Sequence, residues 1–325
     1  MVDLLNDPSI TVEVESLAHH YRAKDGPRPA LRGVSFSVRK GEVFGLLGPN
    51  GSGKTTLFKI LSTLLRPASG RAAVCGADIL ASPEEARRSI GVVFQNPALD
   101  KRLTVEENLR HQGHLYGLSG GDLTGRIAGS LERFGVAERG GDLVSELSGG
   151  LKRRVELAKG MLHGPAVLIL DEPSTGLDPG ARLELWARLK ELSGKDGVTV
   201  LLTTHWMEEA ERCDRLGILS EGKLVAEGTP AALRSEIGGD VLTVETDDPL
   251  ALAAAIRERF GWEAAVVEGT LRLEREDCAR LLPQLAEAFG ALLRRAVLSK
   301  PSLEDVFLHK TGHAFSPRES RGQGS

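Results

Sequence analysis

Nine consecutive residues, Gly48-Pro49-Asn50-Gly51-Ser52-Gly53-Lys54-Thr55-Thr56, set the chemistry open to this chain. Glycines let backbone N–H groups turn inward around an anion with no Cβ in the way. A helix start adds unpaired N–H groups and a positive dipole end. Lys54 can then reach the β- and γ-phosphates of a nucleotide, and the Thr55 hydroxyl can sit on Mg²⁺. The bland reading is a glycine-rich turn. It explains neither the full G-x-x-x-x-G-K-T spacing nor the elements on either side.

Further groups could complete a hydrolytic site. Asp171 and Glu172 follow the apolar run Ala166 to Leu170, and two carboxylates at a strand end suit Mg²⁺ and water chemistry. Gln95 ends a shorter apolar run and could touch Mg²⁺ or the attacking water. His205 follows the strand-like run Val198 to Thr203, which ends at Thr204-His205. Alone, Gln95 and His205 read as ordinary loop residues. Ser148-Gly149-Gly150 opens a helix and offers a second anion site, or simply a capped start. The next residues, Lys152-Arg153-Arg154, read as a solvated basic face that could also assist phosphate binding electrostatically.

The positioning elements follow from periodicity. Val43 to Leu47 reads as a buried strand before the glycine loop, and Leu57 to Leu64 as the helix after it. Ile10 to Glu15 alternates as a half-buried strand, Asp25 to Pro29 is a loop, and Val34 to Val38 is another strand. Tyr21 either stacks on an adenine ring or packs internally. Ser82-Pro83-Glu84-Glu85 and Thr104 to Glu107 carry helix-start signals. Asn96 to Glu146 is mainly helical and interrupts the strand–helix alternation, as a subdomain would. Asp178-Pro179 caps a helix through Leu192.

The chain has 325 residues, enough for a large and a small domain, with 41% hydrophobic and 26% charged residues. A net charge of −4 gives no electrostatic reason to expect nucleic acid. Cys75, Cys213 and Cys278 show neither metal spacing nor a disulfide framework, which points to a reducing cytosol. No apolar run approaches the ~20 residues that span a bilayer.

In this order the motifs resemble the nucleotide-binding domain of ATP-binding cassette (ABC) transporters, over roughly residues 9 to 235. Gly48 to Thr56 is similar to Walker A, and Val167 to Glu172 to Walker B. Leu147 to Leu151 is similar to the signature motif LSGGQ, with Leu151 in place of glutamine. Gln95 falls at the Q-loop, Ser174 to Asp178 at the D-loop, and His205 at the switch histidine. Tyr21 stands where the family stacks adenine. Val93 to Pro97, Leu103 to Leu109 and Ser302 to Leu308 further resemble the daunorubicin-resistance type of exporter ATPase, which pairs with a separate ABC-2 type membrane subunit.

The resemblance implies an α/β P-loop ATPase with a helical subdomain at about residues 96–160, in a domain covering 9–238. It implies ATP with Mg²⁺, held in a head-to-tail dimer that is a homodimer or heterodimer. Asn50, Gly51, Ser52, Gly53, Lys54, Thr55 and Thr56 would cradle the phosphates. Ser148, Gly149, Gly150 and Asp178 would meet ATP held by the other subunit. Thr55, Gln95 and Asp171 would serve the metal. Glu172 would be general base or water-orienting carboxylate, and His205 would contact the γ-phosphate. The implied place is the cytoplasmic face of the membrane, as a peripheral subunit. A non-transport ATPase of this fold, or a regulatory nucleotide-binding module, is the rival. One cassette, no long heptad run, and both Glu172 and His205 count against these.

Residues 239–312 read as β-α-β-β-α-β, a ferredoxin-like accessory domain without chemistry, joined through Gly238-Gly239. Leu303, Val306 and Phe307 fall on one helix face, open to a partner or packed at home. Residues 313–325 read as a disordered tail.

Overall fold

The computed structural model describes residues 8–23, 26–267, 269–276 and 278–315. The expected tail lies outside them from residue 316 onward, as do Asp25, Glu268 and Asp277. Among the described residues the chain divides into two compact units between Leu224 and Val225.

The first unit runs β1 (Ile10–Ala23), β2 (Gly26–Arg39), β3 (Val43–Leu47), α1 (Lys54–Leu61), β4 (Ser69–Val74), β5 (Ala77–Asp78), α2 (Pro83–Ser89) and β6 (Ile90–Val93). Then follow α3 (Val105–Leu115), α4 (Gly120–Arg133), α5 (Gly149–Met161), β7 (Val167–Asp171), α6 (Pro179–Asp196), β8 (Thr199–Thr204), α7 (Met207–Ala210) and β9 (Arg215–Ser220). The division falls inside β10 (Lys223–Gly228).

Strands β3, β7 and β8 are buried along their whole length. That is why they read as largely apolar runs without alternation: parallel strands covered on both faces have no polar side. The sheet order is β10-β9-β3-β8-β7-β6, and β9, β3, β8, β7 and β6 pair in parallel. The register sets Leu47 opposite Thr204 and Asp171 opposite Thr203. Consequently the glycine loop, Gln95, Asp171-Glu172 and His205 all follow strands at the same sheet edge. A second, antiparallel sheet has the order β2-β1-β4-β5. One apolar core joins it to α1 and one face of the parallel sheet, with Phe36 stacked on Phe44 at 5.3 Å. Another core lies beneath α3, α4, α5 and α6.

Three local expectations need correction. Strand β1 continues well past Glu15, because register shifts between Val14 and Leu17 and between His19 and His20 break its alternation. Tyr21 therefore stands on a strand, opposite Arg28. Gly26 to Pro29, read as loop, belong to β2, whose prolines are tolerated because β2 is an edge strand. Ser82 occupies the N-cap of α2 but makes no side-chain cap bond. Thr104 and Glu107, by contrast, form the reciprocal cap at α3.

The second unit holds α8 (Pro230–Ser235), β11 (Asp240–Glu245), α9 (Pro249–Phe260), β12 (Ala265–Val267), β13 (Thr270–Arg275), α10 (Cys278–Phe289), β14 (Arg295–Ser299) and α11 (Leu303–Thr311). Its antiparallel sheet has the order β12-β13-β11-β14. Leu242, Val244, Leu271 and Leu273 share a core with Leu252 and Ile256 of α9 and Leu281 and Leu285 of α10. Gly238-Gly239 lies inside this unit and is not an open joint. Gly239 has φ +141°, and a Cβ there would sit 2.3 Å from the Arg275 carbonyl carbon.

The apolar face of α11 packs at home. Leu303, Val306 and Phe307 are all buried, Arg272 pairs with Asp305, and α11 packs on α8. A contact surface for a partner was one of two expectations for this face, and burial removes it.

Candidate nucleotide site

The glycine loop closes between β3 and α1. Gly53 has φ +109°, and a Cβ there would lie 2.5 Å from the Ala30 carbonyl oxygen, so the turn requires glycine. A cleft of about 380 Å³ opens over it, lined among others by Tyr21, Asn50, Gly51, Gly53, Lys54, Thr55, Thr56 and Glu172. Arg22 and Arg28, which the sequence reading passed over, line it as well. Tyr21 Oη lies 3.2 Å from Thr56 Oγ1. That bond ties the aromatic strand to the phosphate-loop helix.

Lys54 is buried and folded back on its own loop, donating to the carbonyls of Gly48 at 2.8 Å and Pro49 at 3.1 Å. Burial lowers its pKa, against the opposing pull of Glu172 and Asp171. Ser52 Oγ is buried without a hydrogen-bond partner. A buried cation and an orphaned hydroxyl inside a ring of loop amides fit an incoming phosphate.

Glu172 is the hub. One carboxylate oxygen, Oε1, lies 3.1 Å from His205 Nδ1 and 3.6 Å from Lys54 Nζ. The other, Oε2, accepts from Gln95 Nε2 at 3.1 Å and from Thr175 Oγ1 at 3.4 Å. Its backbone is in the left-handed region at φ 44°, a strain that functional residues often carry. Burial pushes the Glu172 carboxyl up, but His205 and Lys54 together outweigh burial and leave its pKa below the ordinary range. Asp171 goes the other way: burial, seconded by the charge of Glu172, raises it despite bonds from Thr203 and Thr55. Thr203, which no sequence pattern singled out, donates to Asp171 Oδ1 at 2.6 Å and accepts from Glu172 N at 3.0 Å. Its one signal was a place in the Thr203-Thr204 pair that ends a buried strand.

Comparison with known proteins decides the family. Residues 31–175 match the family model described as ABC transporter. A Nod factor export ATP-binding protein I from Burkholderia orbicola is 43% identical over 289 residues, 88% of this chain and 93% of that protein. A daunorubicin resistance ATP-binding protein from Streptomyces coeruleorubidus is 38% identical over 319 residues, 95% of this chain and 98% of the relative. This chain belongs to the ATP-binding subunits of ABC transporters. It is an ATP-binding, ATP-hydrolysing cassette that powers export. Among solved structures, cbiO1 from Clostridium perfringens, part of an ABC transporter complex, aligns at TM-score 0.63 and 29% identity, over 78% of this cassette and 96% of that chain. A dimeric ATP-binding cassette in a post-hydrolysis state with ADP and Pi aligns at TM-score 0.61 and 27% identity, over 67% of this cassette and 98% of that chain.

The remaining expected site residues do not line the cleft. Ser148 caps α5, its Oγ accepting from Leu151 N at 3.3 Å. Gly149 and Gly150 form the first turn of that helix. Leu151, where the family has glutamine, packs against the helical core instead of reaching outward. Asp178 caps α6, accepting from Ala181 N at 2.9 Å. In the D-loop, Ser174 donates to the buried carboxylate of Glu209, which also accepts from Thr204 Oγ1 at 2.7 Å.

The basic run after the signature motif is not a uniform solvated face. Arg153 is buried and turned toward the Q-loop. Its i,i+3 spacing from Glu156 was the available signal.

Proposed function

We propose that the cassette works as half of a head-to-tail pair, with a second copy or a related cassette as the other half. Each ATP would lie between the phosphate loop of one subunit and Ser148, Gly149, Gly150 and Asp178 of the other. Support comes from where those four residues are. They head helices outside the cleft, so in one chain the nucleotide has a floor and no cover.

The observation that carries the hydrolytic reading is the Glu172 carboxylate, gripped by His205, Lys54 and Gln95 at the edge of the phosphate cradle. An ionised carboxylate there can orient a water and take its proton. His205 and Lys54 stand ready to meet charge on the γ-phosphate. Thr55, Gln95 and Asp171 would hold Mg²⁺, which neutralises phosphate charge when bound. The donor set suits that ion. The hydroxyl, amide and carboxylate oxygens of these three residues are hard donors, the kind that Mg²⁺ prefers.

Closure of the pair on ATP and reopening after hydrolysis would drive a separate ABC-2 type membrane subunit. No helix of the described residues is long and apolar enough to cross a membrane itself. The cassette would sit on the cytoplasmic face, docking through the helical subdomain and the Gln95 loop. Its relatives are named for Nod factor export and daunorubicin resistance, and the cargo proposed for this cassette is a drug, lipid or other hydrophobic substrate. The order β12-β13-β11-β14 supports a ferredoxin-like reading of residues 239–312 as an accessory domain.

The test is turnover by the purified chain, alone and with a six-helix membrane protein encoded beside it. ATP hydrolysis that the membrane protein alters supports the exporter reading. Hydrolysis indifferent to every such partner rejects it.

A further inference from the structure

Three residues of α5 hold the Q-loop by its backbone. The Arg153 side chain is 5% exposed, and its guanidinium donates from Nη1 to the Phe94 carbonyl at 2.8 Å and from Nη2 to the Gln95 carbonyl at 3.2 Å. Nη1 also meets Glu156 Oε2 at 2.9 Å. Glu156 Oε1 accepts from Ala98 N at 2.8 Å, and Lys159 Nζ donates to the Ala98 carbonyl at 2.6 Å. Both ends of segment 94–98 are thus anchored to one helix, the helix that Ser148 caps.

A buried ion pair is a poor stability device, because desolvating two charges offsets their attraction. Burial lowers the Arg153 pKa and raises that of Glu156. What the pair supplies is geometry. A planar guanidinium bound to two successive carbonyls fixes orientation as well as position, which a lysine cannot do. The fixed object matters here, because Gln95 Nε2 donates to Glu172 Oε2 at 3.1 Å.

We propose that Arg153 is a positioning residue for ATP hydrolysis, holding the Gln95 backbone so that the Gln95 amide stays on Glu172. It also makes the Q-loop follow any displacement of α5. The inference rests on Glu172 being the hydrolytic carboxylate.

The experiment is steady-state hydrolysis by the full chain across ATP concentrations, with affinity for a fluorescent ATP analogue measured separately. The working variant combines Arg153→Met with Glu156→Gln, which strands no buried charge and keeps an acceptor for Ala98 N. Glu156→Gln alone is its control. The double variant should lose about tenfold in kcat, the lower end of what an outer-shell partner usually supplies. KM and analogue affinity should stay within about twofold, since binding is not the step affected.

Gln95→Ala should lose a similar factor. Adding it to the Arg153 variant should cost nothing more, because both changes break one connection. Arg153→Lys should recover part of the rate. Unchanged kcat in the Arg153 variant overturns the proposal. So do losses that multiply with Gln95→Ala to about a hundredfold, as independent sites would. Full turnover in Glu172→Gln would instead remove the reading beneath it, and the Arg153–Gln95 cycle would report on their coupling all the same.

Discussion

Lys54 Nζ lies 3.6 Å from Glu172 Oε1 while donating to the Gly48 and Pro49 carbonyls. A phosphate entering the loop competes for that ammonium. When Lys54 turns to phosphate, Glu172 loses one of the partners that hold its pKa down. On the proposed hydrolytic reading, the carboxylate would then become a stronger base as the γ-phosphate arrives, which would make activation and substrate arrival one event.

Glu172→Gln keeps the shape of the hub and removes its charge. Turnover should fall by about 10²- to 10⁴-fold, the usual contribution of a positioned base. Affinity for an ATP analogue should persist, and an ATP-bound dimer should accumulate on size-exclusion chromatography. Near-normal turnover would sink the assignment.

Lys54→Ala should weaken ATP binding by about tenfold or more, since a hydrogen bond to a charged group contributes ~1.5–3 kcal/mol. Titration with a labelled ATP analogue checks it. Unchanged affinity would mean that the folded-back position of Lys54 is its only role.

How much of this was legible beforehand depended on sequence distance. Lys54, Thr55, Asp171 and Glu172 could be read because each motif is contiguous and the chemistry of its residues is stated by type. Thr203 could not. It serves Asp171 only because β7 and β8 pair in a parallel register, which sets those two residues opposite each other. Arg153 was read as solvated because three basic residues in a row look like a surface, yet one of them faces inward on a helix. The second unit was readable as alternating strands and helices. The Leu303, Val306 and Phe307 stripe showed a helix face without showing what covers it.

The signature residues give a test in trans. Ser148→Arg should block hydrolysis and leave analogue binding to the monomer nearly unchanged, because Ser148 does not line its own cleft. Mixed with Lys54→Ala, it should regain part of the activity: one site of each mixed dimer carries both lesions and the other carries neither. Loss of analogue affinity in the Ser148 variant alone would place this residue in cis.

Asp171 and Glu172 should respond to pH in opposite senses. The Glu172 pKa is lowered on folding, so its stabilisation is complete above the ordinary carboxylate range and is lost as pH falls through the lowered value. The Asp171 pKa is raised, so its penalty is complete at neutral pH and fades as pH falls through the raised value toward the ordinary one. Without nucleotide, Asp171→Asn should therefore raise the melting temperature near pH 7.5 by about 2 °C, the effect of ~1 kcal/mol at this size. The gain should shrink as pH falls through the raised value and be gone by about pH 4, near the ordinary aspartate value. Stabilisation by ATP with Mg²⁺ should be lost in the same variant. A lower melting temperature at neutral pH would contradict this account.

Truncation tests where the second unit begins. Leu233 and Ile237 are 0% and 8% exposed, and they belong to the second unit together with α11, which packs on α8. A chain ending after Gly228 keeps β10 whole and every residue that lines the cleft. It carries none of α8. A chain ending after Gly238 keeps α8 without α11, and whatever burial α11 gives those two side chains, up to ~1.5–3 kcal/mol each, is lost. The shorter chain should therefore be the better behaved. It should stay monodisperse and bind an ATP analogue within about twofold of full-length affinity, because it retains every residue that lines the cleft. The longer one should aggregate at a lower temperature. Light scattering during a thermal ramp, with analogue titration at 20 °C, reads both. If the shorter chain is soluble and fails to bind, the second unit is part of the nucleotide site. If the two aggregate alike, α11 is not what shields α8.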